Sequence, residues 1–142
     1  MRDYRWAAAP LVVMLAACAS QIINNSNGQC ANLPWHGYPE DGTTLRMIPC
    51  IGRAGEQWNV KNGQIVGVGG SCMDVEGSKA VDGARVIGVT CNGSPGQNWT
   101  AANGHIIGIG GKCLDFAGDD TGNPPLVIAS CSGASSQQWS LH

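Results

Sequence analysis

Two carboxylates stand at matching places in this chain, and they are its clearest candidates for binding chemistry. Cys72-Met73-Asp74-Val75 and Cys113-Leu114-Asp115-Phe116 alternate apolar and polar residues, which is the period of a β-strand. Met73 with Val75, and Leu114 with Phe116, are expected to face a core, so Asp74 and Asp115 face solvent. A carboxylate displayed twice in one setting points to a repeated site; an edge-strand charge or a turn-capping Asp is the plainer alternative. A second candidate is the aromatic cluster Trp35, His36 and Tyr38, flanked by Pro34 and Pro39. Prolines stiffen such a loop, and rigid rings make platforms for sugars or protein partners. Packing of Trp35 or Tyr38 over the fold is the competing role.

Catalytic chemistry finds little support. His36, His105 and His142 lack metal-ligand spacing, and no nucleophile stands in a recognisable motif. Asp119 and Asp120 are paired only in sequence and read as a solvated turn before Gly122. No catalytic residue, metal or cofactor is expected, and the chain reads as a non-enzyme.

The elements that must hold these residues are three copies of one unit. Gly-x-Cys is followed by a second Cys 18 to 20 residues later and a Trp eight beyond that. The first Cys is Cys30, Cys72 and Cys113, the second Cys50, Cys91 and Cys131, and the Trp is Trp58, Trp99 and Trp139. Copies are offset by 40 to 42 residues. A unit of that size buries too little apolar surface to fold alone, so the three must share a core. Equivalent positions should form equivalent bonds, which selects Cys30–Cys50, Cys72–Cys91 and Cys113–Cys131 from the possible pairings. Each closes a loop of about 20 residues, worth about 3 kcal/mol in the chain-entropy account.

Short apolar runs bounded by Gly, Asn, Asp and Pro imply an all-β fold. Gln64 to Val68 and His105 to Ile109 are one expected strand in two copies, with Gln21-Ile22-Ile23 as the third. Leu45 to Ile48, Val86 to Val89 and Leu126 to Ala129 are a second set, each running towards the second Cys. No window carries the spacing of an amphipathic helix. Eight basic and ten acidic residues leave a formal charge of −2. There is no basic stripe, so nucleic acid is not an expected partner.

The N-terminus reads as a targeting segment. Arg2 and Arg5 precede an apolar run from Trp6 to Ala17, interrupted by Pro10 and too short to span a membrane. Leu15-Ala16-Ala17-Cys18 resembles the lipobox at which bacterial lipoprotein precursors are cleaved. The resemblance implies a signal peptide over residues 1–17, a domain over 18–142 and acyl chains on Cys18. An ordinary secretory signal, with Cys18 a spare thiol, is the other reading. Seven Cys less Cys18 leave two per repeat, which suits the lipoprotein and an oxidising compartment. Ala19 is not the Asp that argues for inner-membrane retention, so the outer membrane is favoured if two membranes exist. The first strand begins about three residues after Cys18, which would hold the domain close to the membrane surface.

Gly-x-Cys-Leu/Met-Asp-Val/Phe, a Gly-containing loop, Cys and Gln-x-Trp together resemble the ricin B-type lectin β-trefoil over about residues 20 to 142. Gln97-Asn98-Trp99 and Gln137-Gln138-Trp139 fit Gln-x-Trp, whereas Glu56-Gln57-Trp58 has Glu for Gln. The resemblance implies a β-trefoil of twelve strands, six in a barrel and six in a hairpin cap, with pseudo-threefold symmetry and the three Trp in the core. It also implies shallow pockets for galactose- or xylan-type glycans, built from the Asp, a ring shortly before the second Cys, and Asn-Gln before the Trp. Asp74 with Gln97, and Asp115 with Gln137, are then the sugar-binding candidates. The pattern is incomplete everywhere. Val89 and Ala129 stand for the ring, and Gly96 and Ser136 for the Asn. The first repeat departs furthest, with Asn32, Ile48 and Glu56 at the Asp, ring and Gln positions, and is expected to lack the usual site.

These readings imply a non-catalytic carbohydrate-binding protein of the cell envelope, lipid-anchored through Cys18. The alternative is a structural or protein-interaction module that kept the scaffold and lost the sugar, such as a toxin or adhesin accessory subunit.

Overall fold

The structure, a computed structural model, describes residues 19–119 and 121–142; residues 1–17, the expected signal peptide, and Cys18 lie outside the described residues, as does Asp120. Thirteen short strands are present among them. β1 (Ile22–Asn24), β2 (Cys30–Asn32), β3 (Thr43–Thr44) and β4 (Arg46–Ile48) belong to the first repeat. β5 (Asn59–Lys61), β6 (Gln64–Val66), β7 (Ser71–Val75) and β8 (Val86–Thr90) follow. The last are β9 (Thr100–Ala102), β10 (His105–Ile107), β11 (Cys113–Phe116), β12 (Leu126–Ala129) and β13 (Trp139–Leu141). The count exceeds twelve because the second-Cys strand of the first repeat is split at Leu45.

All pairings are antiparallel and fall into three like sheets: β9-β10-β11-β12, β13-β1-β2-β4, and β3-β8-β7-β6-β5. Each joins a two-strand pair to the strand that begins at or next to the first Cys of a repeat and the strand that leads to the second. The C-terminal strand closes the ring on the N-terminal one, with Trp139 opposite Asn24 and Leu141 opposite Ile22. That is the β-trefoil the family resemblance implied.

The core lies on the pseudo-threefold axis and draws equally on the repeats. Ile22, Ile65 and Ile106, Leu45, Val86 and Leu126, and Met47 and Ile128 are buried there with the three Trp. The Trp indoles are satisfied in one way throughout. Their Nε1 groups donate to Ala31 O at 3.1 Å, Met73 O at 2.9 Å and Leu114 O at 3.0 Å. An indole N–H left unpaired inside would cost roughly 1–3 kcal/mol, so this bond sets where each ring lies. The three expected disulfides are all formed, with Cα–Cα distances of 5.1, 5.0 and 5.1 Å.

Two sequence expectations need correction. The strands at Gln64 and His105 stop at Val66 and Ile107, and do not reach Val68 and Ile109. Gly67 and Gly108 lie flat on indole rings; a Cβ on either would stand 2.6 Å from Trp58 or Trp99 Cζ3. The chain then turns through 3-10 segments at Val68–Gly70 and Ile109–Gly111. The second correction concerns the paired carboxylates. Asp74 does not face solvent but is only 7% exposed, and Asp115 is half-buried. Both faces of β7 are covered, one by the core and the other by the turn Pro95–Gln97.

The repeats are clasped together at two seams. Asp41 Oδ1 accepts from Thr90 N at 2.8 Å, and Asp82 Oδ1 from Ser130 N at 2.9 Å. At the third seam Gly122 takes the place of the Asp, four residues before Leu126, and Pro49 has no N–H to offer. The third and first repeats therefore meet without this clasp.

Candidate functional site

Each Gln before a core Trp sits in a one-turn 3-10 segment, which folds it back onto the first-Cys strand. Gln97 Nε2 donates to Asp74 Oδ2 at 3.0 Å and to Thr90 O at 3.1 Å. Its Oε1 accepts from Asn92 N at 2.9 Å and Gly93 N at 3.2 Å. Gln137 repeats the arrangement, donating to Asp115 Oδ2 and Ser130 O at 3.0 Å each and accepting from Ser132 N at 2.9 Å. The structure thus brings each sequence-named pair together. Both amide hydrogens of each Gln are spent, so these side chains hold the turn and orient the Asp.

The Asp then differ in what they offer a ligand. Gly96 lies so close to β7 that any side chain there would overlap Asp74 Oδ1 and Val75 O. Asp115 is half-exposed, and its Oδ1 accepts from Phe116 N at 2.8 Å. Of the two, Asp115 retains more access.

The first repeat exchanges the chemistry of the pair. Glu56 is fully buried in the Gln position. Its Oε1 accepts from Ile51 N at 3.1 Å, Gly52 N at 3.0 Å and Gln21 Nε2 at 3.1 Å, and Oε2 from Arg53 N at 3.0 Å. A carboxylate has no hydrogen to give, and the strand position that holds Asp in the other repeats carries an amide side chain, Asn32. The carboxylate has moved from the strand to the buried turn.

A cavity of about 570 Å³ opens at this repeat. Asn32 and Gly55 form part of its wall, together with Trp35, His36, Arg46, Arg53 and Asn123. Trp35 is half-buried, held against the next repeat at Gly69, where a Cβ would fall 2.5 Å from Trp35 Cζ3. Gly69 has φ +71°, so a glycine is needed there on both counts. His36 Nδ1 lies 3.1 Å from Glu40 Oε1. Tyr38 is 57% exposed and does not line the cavity, so the aromatic cluster divides. Arg46 Nη1 donates to Asn123 O at 3.2 Å, spanning the unclasped seam. Sequence patterning singled out Trp35 and His36 but missed Arg46, Arg53 and Asn123, which come from three separated segments. The exposed, unpatterned Arg46 in an otherwise apolar strand was the available signal.

The other candidates are inert in this geometry. Asp119 Oδ1 accepts from Thr121 N at 3.0 Å, a turn cap that holds its carboxyl below the usual range, through the Thr121 hydroxyl first and its N–H second. His105 Nε2 lies 3.1 Å from Gln138 Nε2, beside a smaller cavity of about 180 Å³. Among the described residues, the one grouping with metal-ligand atoms is Cys30, Cys50 and Glu56, whose cysteines are bonded to each other. No helix among the described residues is long and apolar enough to cross a membrane.

A closed ring of three Cys- and Trp-pinned repeats, each folding a Gln- or Glu-bearing turn onto a strand, defines a β-trefoil of the lectin type. The ricin-type beta-trefoil lectin domain matches residues 19–139, and the chain belongs to that family. Among curated proteins, none matches the chain at a significant level. The fold is similar to that of ThreeFoil, a designed 3-fold symmetric protein, with TM-score 0.77 and 24% identity over 87% of this chain and 96% of that one. It is also similar to the agglutinin from Abrus precatorius, with TM-score 0.75 and 20% identity over 87% of this chain and 47% of that one. The earthworm R-type lectin C-half, solved in complex with GalNAc, gives TM-score 0.71 and 13% identity over 88% and 98%.

Proposed function

We propose that this protein is a non-catalytic carbohydrate-binding protein of the cell envelope, lipid-anchored through Cys18. The observation that carries the binding reading is the first-repeat cavity, with a half-buried Trp35 ring pinned at its wall beside Asn32 and Asn123. A fixed indole covers the apolar face of a pyranose, while side-chain amides exchange hydrogen bonds with its hydroxyls. Family membership and the GalNAc complex of the earthworm lectin support a sugar ligand, of galactose or xylan type by resemblance. The half-exposed Asp115 with Gln137 is a second, weaker site, whereas Asp74 with Gln97, named by the sequence motif, is buried and serves the turn. Several weak sites on a surface gain by avidity against a multivalent glycan.

The anchoring reading rests on Leu15-Ala16-Ala17-Cys18, with Ala19 favouring the outer membrane. A second reading, a trefoil that binds protein in place of sugar, draws on the burial of Asp74 and on Val89 and Ala129 at the ring positions. A glycan array probed with the full chain and with Trp35→Ala decides between them. Binding lost in Trp35→Ala supports the first; a folded protein that binds no glycan overturns it in favour of the second. For the anchor, incorporation of labelled palmitate that disappears in Cys18→Ala is expected, and equal labelling of both would overturn it.

A further inference from the structure

The three pseudo-equivalent sites do not carry the same charge. At the strand position four residues before the second Cys, the second and third repeats have Ile87 and Val127, opposite Asp74 and Asp115. The first repeat has Arg46, opposite Asn32. At the residue that begins each 3-10 turn, Ser94 and Ala134 correspond to Arg53. The first site has therefore lost its carboxylate and acquired two guanidinium groups, in a chain whose formal charge is −2.

Among the described residues, the wall of the cavity holds Arg46, Arg53 and His36 and no carboxylate. Two described acids of this repeat, Glu56 and Glu40, are otherwise engaged. Glu56 is sealed behind Gly55 with its oxygens taken by the N–H groups of Ile51, Gly52 and Arg53, and Glu40 faces His36 from outside the cavity. Arg46 spends one donor on Asn123 O and keeps the rest of its fork. Arginine forks suit a planar or tetrahedral oxyanion, which they bind through paired hydrogen bonds. The indole of Trp35 beside them suits a ring-shaped body carrying that anion.

We infer that the first-repeat cavity takes an acidic saccharide, a sugar bearing a carboxylate or sulfate group, with Arg46 and Arg53 on the anion and Trp35 against the ring. This deepens the carbohydrate reading above and rests on it. Anion recognition would then discriminate among glycans that share a neutral skeleton.

Calorimetric titration of the full chain with galactose, galacturonate, galactose 6-sulfate and inorganic sulfate tests it. The two acidic sugars are expected to bind at least about tenfold more tightly than galactose at low salt. That preference should shrink towards one at about 0.5 M NaCl, where the screening length falls to a few ångströms. Arg46→Gln and Arg53→Gln should each lower the ratio of acidic to neutral affinity severalfold, with unchanged near-UV circular dichroism. Lys61→Gln, which alters net charge away from the cavity, should leave that ratio alone. The galacturonate and sulfate arms tell which anion the forks prefer. Galactose binding as tight as its acidic analogues, or a preference indifferent to salt and to both Arg variants, overturns the inference while the carbohydrate reading stands. Sulfate binding without any sugar binding overturns both.

Discussion

Gln97 Nε2 donates to Asp74 Oδ2 across 3.0 Å in a place where neither side chain reaches appreciable solvent. Strand alternation alone turns Asp74 outward; the turn at Pro95–Gln97 then closes over it. The result is a buried carboxylate that aligns a turn, joined to its repeat by an amide whose hydrogens are all used. Asp115 and Gln137 form the same pair with one side open. A single motif thus serves as structure in one repeat and as a more accessible group in the next.

Gln97→Leu should be the most disruptive polar substitution in this region. It leaves Asn92 N, Gly93 N, Thr90 O and Asp74 without their partner, inside or partly inside the protein. Buried groups stripped of partners cost roughly 1–3 kcal/mol each, and relaxation recovers part, so a loss of about 3 kcal/mol is expected. Urea unfolding monitored by Trp fluorescence measures it; a loss below about 1 kcal/mol would mean that water replaces the amide without penalty.

The exchanged pair in the first repeat should be coupled. Asn32→Asp alone sets a second carboxylate towards buried Glu56, at an expected cost of about 3 kcal/mol. Glu56→Gln alone removes the acceptor of Arg53 N and should cost about 1–2 kcal/mol. The double variant recreates the pair seen at Asp74 and Gln97, so its cost should fall short of the sum by about 1–3 kcal/mol. Strict additivity in a double-mutant cycle would show that the two positions do not communicate.

Gly108→Ala should destabilise through overlap alone. Its φ of −113° suits any residue, yet a Cβ would stand 2.6 Å from Trp99 Cζ3. Displacing a buried indole from its bond to Met73 O is expected to cost about 1–3 kcal/mol. Gly111→Ala, with open space around it but φ +72°, should cost about 1 kcal/mol from backbone strain. Thermal unfolding of the pair separates the causes; equal losses would point to backbone strain at both.

Acid should loosen the seam between the second and third repeats. The Lys112 ammonium holds the Asp82 carboxyl below its ordinary 3.8, aided by the Ser130 hydroxyl and N–H. A depressed folded-state value stabilises the fold above the unfolded-state pKa, and that contribution disappears as pH falls through the folded value. Thermal midpoints recorded from about pH 6 to about pH 2 should therefore drop below about pH 4, and Asp82→Asn should flatten part of that drop. Glu76, lowered by Arg85, and Asp119, lowered by Thr121, supply further shares, so the variant does not remove all of it. An unchanged slope in Asp82→Asn would show that the seam does not depend on this charge.

The spacing of Cys and Trp by itself determined the three repeats, the three disulfides and the shared core, and the family resemblance of those motifs implied the β-trefoil. Those features depend on local period and on what equivalent positions must do alike. It also named Asp74, Asp115, Gln97, Gln137 and Trp35 as residues of interest. Only the tertiary structure decided which of them are accessible. Asp74 is covered by a turn more than twenty residues further along the chain, and Trp35 is held by a glycine of another repeat. Arg46, Arg53 and Asn123, from separated segments, meet around one cavity, and Arg46 bonds Asn123 across the seam that lacks an Asp clasp. Alternation along a strand reports a side chain's direction; what lies in that direction is a property of the closed ring.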